Sequence, residues 1–194
     1  YSPAIHHELG DYPYRLYEKT PEELPAFLTG GSFDGLNVTI PYKKAVMPYC
    51  AALSETAQRV GCVNTLVRRA DGTLYGDNTD VFGFERMLLS TGVDVRGRKA
   101  LVFGSGGASG TACEVLRQHG AQVVRISRSG ADNYTNLDRH ADAQVLVNTT
   151  PLGMYPNNGV APVDISNFPA CALVLDVVYN PARTALLLQA EVLG

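Results

Sequence analysis

Lys43, Asp80 and the run Gly104-Ser105-Gly106-Gly107-Ala108-Ser109 are the residues of this chain best suited to chemistry. A lysine ammonium can give a proton or a hydrogen bond to an oxygen gaining negative charge, and a carboxylate can orient it. A glycine-rich turn lets backbone approach a pyrophosphate, and a helix beginning there supplies N–H groups and the positive end of its dipole. Combined, these parts point to redox chemistry at a carbon bearing a hydroxyl, with the hydride carried by a nicotinamide. Each part also has a plainer reading. Lys43 is followed by Lys44, as on a solvated helix face, Asp80 could be only a helix-start residue, and Asp77 is a second candidate acid. Glycine-rich turns can also simply join strands to helices.

The elements around these residues decide between the readings. Lys99–Phe103 is a short apolar run ending at Gly104, the pattern of a buried parallel strand. From Gly107 to His119 the apolar residues Ala108, Ala112, Val115 and Leu116 have helical spacing, closed by Gly120. Ala121–Ile126, Ala143–Val147 and Ala172–Val178 read as further strands, and Thr184–Leu193 as a helix with Leu186, Leu187, Ala190 and Leu193 on one face. Between Leu137 and Asp142 no pattern is strong enough to assign. Earlier, Thr20 and Glu23 flank Pro21 as a capping box, Leu36–Ile40 and Thr65–Arg68 read as strands, and Asp71-Gly72 suits a hairpin turn before Thr73-Leu74-Tyr75. Thr79–Ser90 reads as a connecting helix with Phe82, Leu88 and Leu89 among its apolar positions. Strands alternating with helices after Arg98 predict a parallel α/β arrangement, and the earlier part has a different, Tyr- and Pro-rich texture.

The glycine loop departs from G-x-G-x-x-G in having Ser109 at the third glycine position, a residue still small enough for close helix–strand packing. At the end of the next strand an NAD-binding unit carries an acid for the ribose 2′-hydroxyl. Here Ser127-Arg128-Ser129 stands instead, with no acid before Asp132. A guanidinium flanked by hydroxyls matches a 2′-phosphate, so the residues favour NADP over NAD. Arg128 as a solvated turn residue is the alternative.

Seven segments in order resemble the shikimate dehydrogenase family. They are Ser2–His6, Asn37–Lys43, Gly61–Thr65, Asn78–Asp80, Gly104–Ser109, Asn148–Met154 and Asp176–Pro181. The resemblance implies NADP-dependent interconversion of 3-dehydroshikimate and shikimate, a step of aromatic amino acid (chorismate) biosynthesis. It implies an α/β fold in which an N-terminal α/β substrate domain, residues 1–82, precedes a doubly wound, Rossmann-type NADP-binding domain, residues 83–194. It further implies that Lys43 and Asp80 are the catalytic pair, with Ser2, Thr39, Asn64 and Tyr179 on the substrate. Gly104, Ser105, Gly106, Gly107, Ala108, Ser109, Arg128 and Ser129 would hold NADP, with Asn148, Thr149 and Met154 on the nicotinamide side. Relative to the family pattern the chain lacks an upstream strand with a His-Ser pair and the C-terminal helices with a substrate-binding glutamine, so it reads as missing both ends. Cys62 replaces a frequent alanine, and Val81 and Phe82 follow Asp80 where many members have glycine, a change expected to serve packing. A quinate/shikimate dehydrogenase using NAD or NADP, a folate-type methylene dehydrogenase and a catalytically silent NADP-binding domain are the competing readings.

Composition narrows the partners. With 194 residues, 45% apolar and 18% charged, the chain can bury a core of one large or two small domains. Sixteen basic residues are scattered and the net charge is −3, so no basic face for nucleic acid is expected. No apolar run reaches the ~20 residues of a membrane span, so no membrane partner is expected. Cys50, Cys62, Cys113 and Cys171 form no metal-binding spacing and read as reduced, buried thiols of a cytoplasmic protein, with no metal. His6 reads as structural, His119 and His140 as solvated, and Tyr12, Tyr14 and Tyr17 as packing residues. The expected partners are a small-molecule substrate and, for the chain itself, a monomeric or homodimeric state.

Overall fold

The computed structural model describes residues 1–194, which divide into two compact units, Tyr1–Asp34 and Gly35–Gly194. In the first unit, α1 (Ser2–Leu9) starts with Pro3 in its opening turn, where a missing N–H costs nothing. His6 stacks on Tyr14 at 4.0 Å between ring centroids and bonds the Tyr12 hydroxyl at 2.7 Å, a structural role for all three. The Thr20/Glu23 capping box forms, with Glu23 Oε2 accepting from Thr20 N at 2.9 Å. Even so, α2 spans Leu24–Gly30 and starts later than the box alone predicts. Pro25 has no N–H to give the carbonyl four residues back, so residues 21–23 remain a turn.

The second unit holds two four-stranded sheets. In the first, β1 (Gly35–Asn37), β2 (Ala52–Leu53), β3 (Thr65–Arg68) and β4 (Leu74–Asp77) lie in the order β1-β3-β4-β2. β3 and β4 form the expected hairpin, with Arg69 N bonding Thr73 O at 2.8 Å across the Asp71-Gly72 turn. β1 ends at Asn37, short of the predicted Ile40. Val38 N still reaches Asn64 O at 2.7 Å, but the chain then turns around Pro41, which cannot donate to a ladder, with Tyr42 N on Thr39 O at 2.8 Å. α3 (Glu55–Val60) is capped by Ser54, whose hydroxyl accepts from Ala57 N at 3.0 Å.

The second sheet is parallel throughout, in the order β6-β5-β7-β8, from β5 (Lys99–Phe103), β6 (Gln122–Ile126), β7 (Val145–Asn148) and β8 (Leu173–Asp176). Strand alternation feeds two cores. Ala100, Val102, Val145 and Val147 pack with Val81, Phe84 and Leu88 of α4 (Asp80–Ser90) and Ala112, Val115 and Leu116 of α5 (Gly107–Gln118). Leu101, Phe103 and Leu146 face the other way, onto Ile165, Phe168 and Leu186 of α6 (Ala185–Leu193). Helices cover both faces, as a doubly wound sheet requires.

Several single-residue expectations change. On α4 the buried stripe is Val81, Phe84 and Leu88, leaving Phe82 69% and Leu89 53% exposed, so Val81 but not Phe82 serves packing. On α6 only Leu186 is buried, and Leu193 is 59% exposed. All four cysteines are free thiols, but Cys50 and Cys171 are only half-buried. His140 is buried rather than solvated, because Asp132 receives its Nε2 at 2.9 Å inside the connection from β6 to β7. His119 is held by Glu85 at 2.8 Å. No helix is long and apolar enough to cross a membrane.

Candidate active site

Lys43 follows the Thr39–Tyr42 turn, and its carbonyl accepts from Val63 N at 2.7 Å, which fixes its backbone beside the start of β3. Asp80 opens α4, where a carboxylate is favoured by the helix dipole. The two side chains meet, with Lys43 Nζ 2.5 Å from Asp80 Oδ2. Asn64 Nδ2 donates to the other oxygen, Asp80 Oδ1, at 2.9 Å, and to Thr79 Oγ1 at 2.9 Å. Asn64 Oδ1 in turn accepts from Thr79 N and Thr65 Oγ1, both at 2.9 Å, so its amide orientation is determined. Asp77, the competing acid, is committed elsewhere: its Oδ1 accepts from Ser54 Oγ at 2.5 Å and from Asn78 N at 2.7 Å.

Two residues that sequence reasoning left unassigned or assigned only by difference hold this pair in place. Asn78 is buried, its Oδ1 accepting from Asp80 N at 3.1 Å and its amide reaching Cys62 O at 3.0 Å and Cys62 Sγ at 3.1 Å. Cys62 is fully buried, and its thiol lies 3.8 Å from the Gly107 carbonyl. Burial pushes the Cys62 thiol up, against the opposing pull of the Lys43 charge, so it is a neutral packing group and not a nucleophile. The Asn78-Thr79-Asp80 run was the available signal for Asn78; nothing local signalled the meeting of Cys62 with Gly107.

The glycine loop lies at the carboxyl ends of β5 and β7, where the strand order reverses and α/β sheets bind ligands. Gly104 adopts φ 121°, and a Cβ there would fall 2.6 Å from Thr149 Oγ1, so only glycine fits. Ser109 is buried and its hydroxyl donates to Gly104 O at 2.8 Å, bracing the turn from within. Ser105 and Gly106 are exposed, and a Cβ on Gly106 would meet nothing within 4 Å. Open space over a glycine at the start of a twelve-residue helix fits the approach of a pyrophosphate. Ala108 is half-buried in the first turn of that helix.

Gly107 joins the two halves of the site. A Cβ there would lie 3.3 Å from Lys43 Cδ and 3.2 Å from Cys62 Sγ. The lysine stem therefore runs directly past the loop. The remaining residues take different places. Arg128 and Ser129 are exposed in the turn after β6. Thr149 is tied to Phe103 O by its hydroxyl at 2.6 Å, at the switch point. Asn148 is fully buried and spends its side chain on Asp176 Oδ1 at 3.0 Å, Leu152 O at 3.2 Å and Thr150 Oγ1 at 2.7 Å, so it shapes the 149–152 turn. Met154 and Tyr179 are exposed beyond β7 and β8, Thr39 is exposed in its turn, and Ser2 is exposed at the start of α1 in the first unit.

With that geometry in hand, comparison with known proteins is decisive about kinship. Residues 1–66 match the family model described as the shikimate dehydrogenase substrate binding domain. A shikimate dehydrogenase (NADP(+)) of Methanopyrus kandleri is 37% identical over 226 aligned positions, covering 100% of this chain and 78% of the relative. The crystal structure of shikimate dehydrogenase 1 from Peptoclostridium difficile superposes with TM-score 0.87 at 33% identity, covering 100% of this chain and 78% of that one. The Thermus thermophilus shikimate 5-dehydrogenase in complex with NADP(H) and shikimate gives TM-score 0.74 at 32% identity, covering 90% and 69%.

Proposed function

The chain belongs to the shikimate dehydrogenase family, and on that premise we propose that it catalyses the reversible, NADPH-dependent reduction of 3-dehydroshikimate to shikimate. When bound, the nicotinamide supplies the hydride to the C3 carbonyl carbon, or takes it back in the reverse direction. Lys43 gives its proton to the oxygen that becomes the alkoxide, and the charge of the ammonium lowers the energy of that oxygen while it forms. Asp80 aims the ammonium through Oδ2, and Asn64 holds Asp80 through Oδ1. In oxidation the same amine receives the proton from the substrate hydroxyl. Thr39 and Tyr179 contact the substrate, and Asn64 holds the pair that acts on it.

Residues 83–194 carry the cofactor. The Gly104–Ser109 loop takes the pyrophosphate, Arg128 and Ser129 take the 2′-phosphate, and Thr149 and Met154 border the nicotinamide, with Asn148 supporting that turn. The enzyme works in the cytoplasm, where its free thiols stay reduced, as a monomer or homodimer. The observation that most supports this reading is the Lys43–Asp80 pair at 2.5 Å alongside the glycine of the nucleotide loop.

The test is steady-state reduction of NADP with shikimate, run beside quinate and beside NAD. Shikimate with NADP should give the highest kcat/KM. A preference for quinate with NAD would assign the protein to the neighbouring activity, and cofactor binding without any turnover would make it a silent binding domain.

A further inference from the structure

The connection from β6 to β7 contains no α-helix, only a short turn of 3-10 helix at Leu137–His140. Arg128 and Ser129 stand near its start and so lack the scaffold that a crossover helix would give them. The loop is instead braced by side chains. Asn133 Nδ2 donates to Gly130 O at 3.1 Å and Asn136 Nδ2 to Ala131 O at 2.9 Å. Asp132 closes the loop, its carbonyl accepting from Ser127 N at 3.2 Å. Its carboxylate accepts from His140 Nε2 at 2.9 Å, which pins the loop to the buried end of the connection.

That bond is the one hydrogen bond of the His140 side chain. It is 9% exposed, and its Nδ1 is buried without a hydrogen-bond partner. Leaving one nitrogen of a buried imidazole unsatisfied is costly, and the Nε2 bond to Asp132 is what offsets that burial. Tyr134, in the same loop, stacks on Phe103 with ring centroids 6.2 Å apart. Burial raises its phenol pKa, and the positive charge of Arg128 opposes that shift.

We infer that His140 and Asp132 are positioning residues for cofactor choice: their bond holds the 127–132 loop so that Arg128 and Ser129 are preset to receive the 2′-phosphate of an adenosine. This rests on the NADP reading of Arg128. The pair touches no cofactor itself and acts only through the loop. Preorganisation of this kind adds affinity for the phosphate-bearing nucleotide and leaves the chemical step alone.

The experiment compares kcat and KM for NADP and NAD in the wild type, Asp132→Asn, His140→Ala, His140→Gln and Arg128→Ala, together with calorimetric binding of adenosine 2′-monophosphate. Loss of one charge-assisted hydrogen bond predicts a rise of about fivefold to tenfold in the NADP KM and in the dissociation constant of adenosine 2′-monophosphate, with kcat unchanged. The NAD constants should stay within about twofold of the wild type. His140→Gln, whose amide can replace Nε2–H, should recover most of the loss. Asp132 is a partly exposed side chain, so its variant reports even where His140→Ala fails to fold. Equal losses with both cofactors would reduce the pair to ordinary fold support and overturn the inference. An unchanged NADP to NAD ratio in Asp132→Asn, with a collapsed ratio in Arg128→Ala, would overturn it while leaving the NADP reading intact. An unchanged ratio in Arg128→Ala would instead defeat the NADP reading itself.

Discussion

Asp80 uses its two oxygens for two different partners, Lys43 on one and Asn64 on the other. The arrangement makes it an orienting group whose loss misaims the ammonium. Asp80→Asn keeps the shape and loses the charge, and turnover should fall about tenfold to a hundredfold with the NADP KM little changed. Steady-state kinetics check this, and near-normal turnover would leave Lys43 self-sufficient. Gly107 offers a sharper probe, because an added methyl would press on Lys43 Cδ at 3.3 Å and Cys62 Sγ at 3.2 Å. Gly107→Ala should lower kcat about tenfold with a thermal midpoint within a few degrees of the wild type, since alanine favours the helix. Unchanged kcat would mean that the lysine stem yields to the methyl. At this scale residue types singled out Lys43 and Asp80 among alternatives, and the family resemblance added Asn64 and joined the pair. Cys62 and Asn78 were not legible as supports, because their contacts with the loop and with each other bridge distant parts of the chain.

Among the elements, the two central parallel strands β5 and β7 were the most legible, because they are buried on both faces and read as continuous apolar runs. Leu101 of β5 is fully buried in one of the two cores. Leu101→Ala should therefore destabilise the protein by about 2–5 kcal/mol in urea denaturation. A cost under about 1 kcal/mol would mean that the sheet does not pack as described. The connection from β6 to β7 was illegible for the opposite reason: Asn and Asp side chains and a buried histidine hold it, and none of these has a periodic signature. At the end of β8, burial raises the Asp176 pKa even though Thr184 Oγ1, Val178 N and Asn148 Nδ2 all donate to its carboxylate. With its folded pKa above the unfolded value, the native state binds the extra proton, so the stability contributed by this residue falls as pH rises from the ordinary carboxylate range through the raised one. Asp176→Asn removes that dependence. Its thermal midpoint relative to the wild type should therefore improve as pH rises through that window, and a constant difference across the window would contradict the burial argument.

For the whole of Gly35–Gly194, the decisive fact is that the Lys43–Asp80 pair lies alongside the glycine loop although its two members come from distant parts of the chain. The parallel sheet sets its loop at the point where strand order reverses, and the hairpin sheet brings Lys43 to the same loop past Gly107. Motifs announced both parts separately, and the family resemblance implied their meeting. The physical contact that makes it happen was hidden, since it depends on a glycine having no side chain opposite a lysine stem. The measurement that bears most directly on the account is Lys43→Ala, with kcat for shikimate oxidation and the NADP dissociation constant determined on the same preparation. The account predicts a fall in kcat on the order of 10²–10⁴ with NADP affinity within about twofold of the wild type. Turnover close to the wild type would remove Lys43 from the proton transfer and, with it, the central claim.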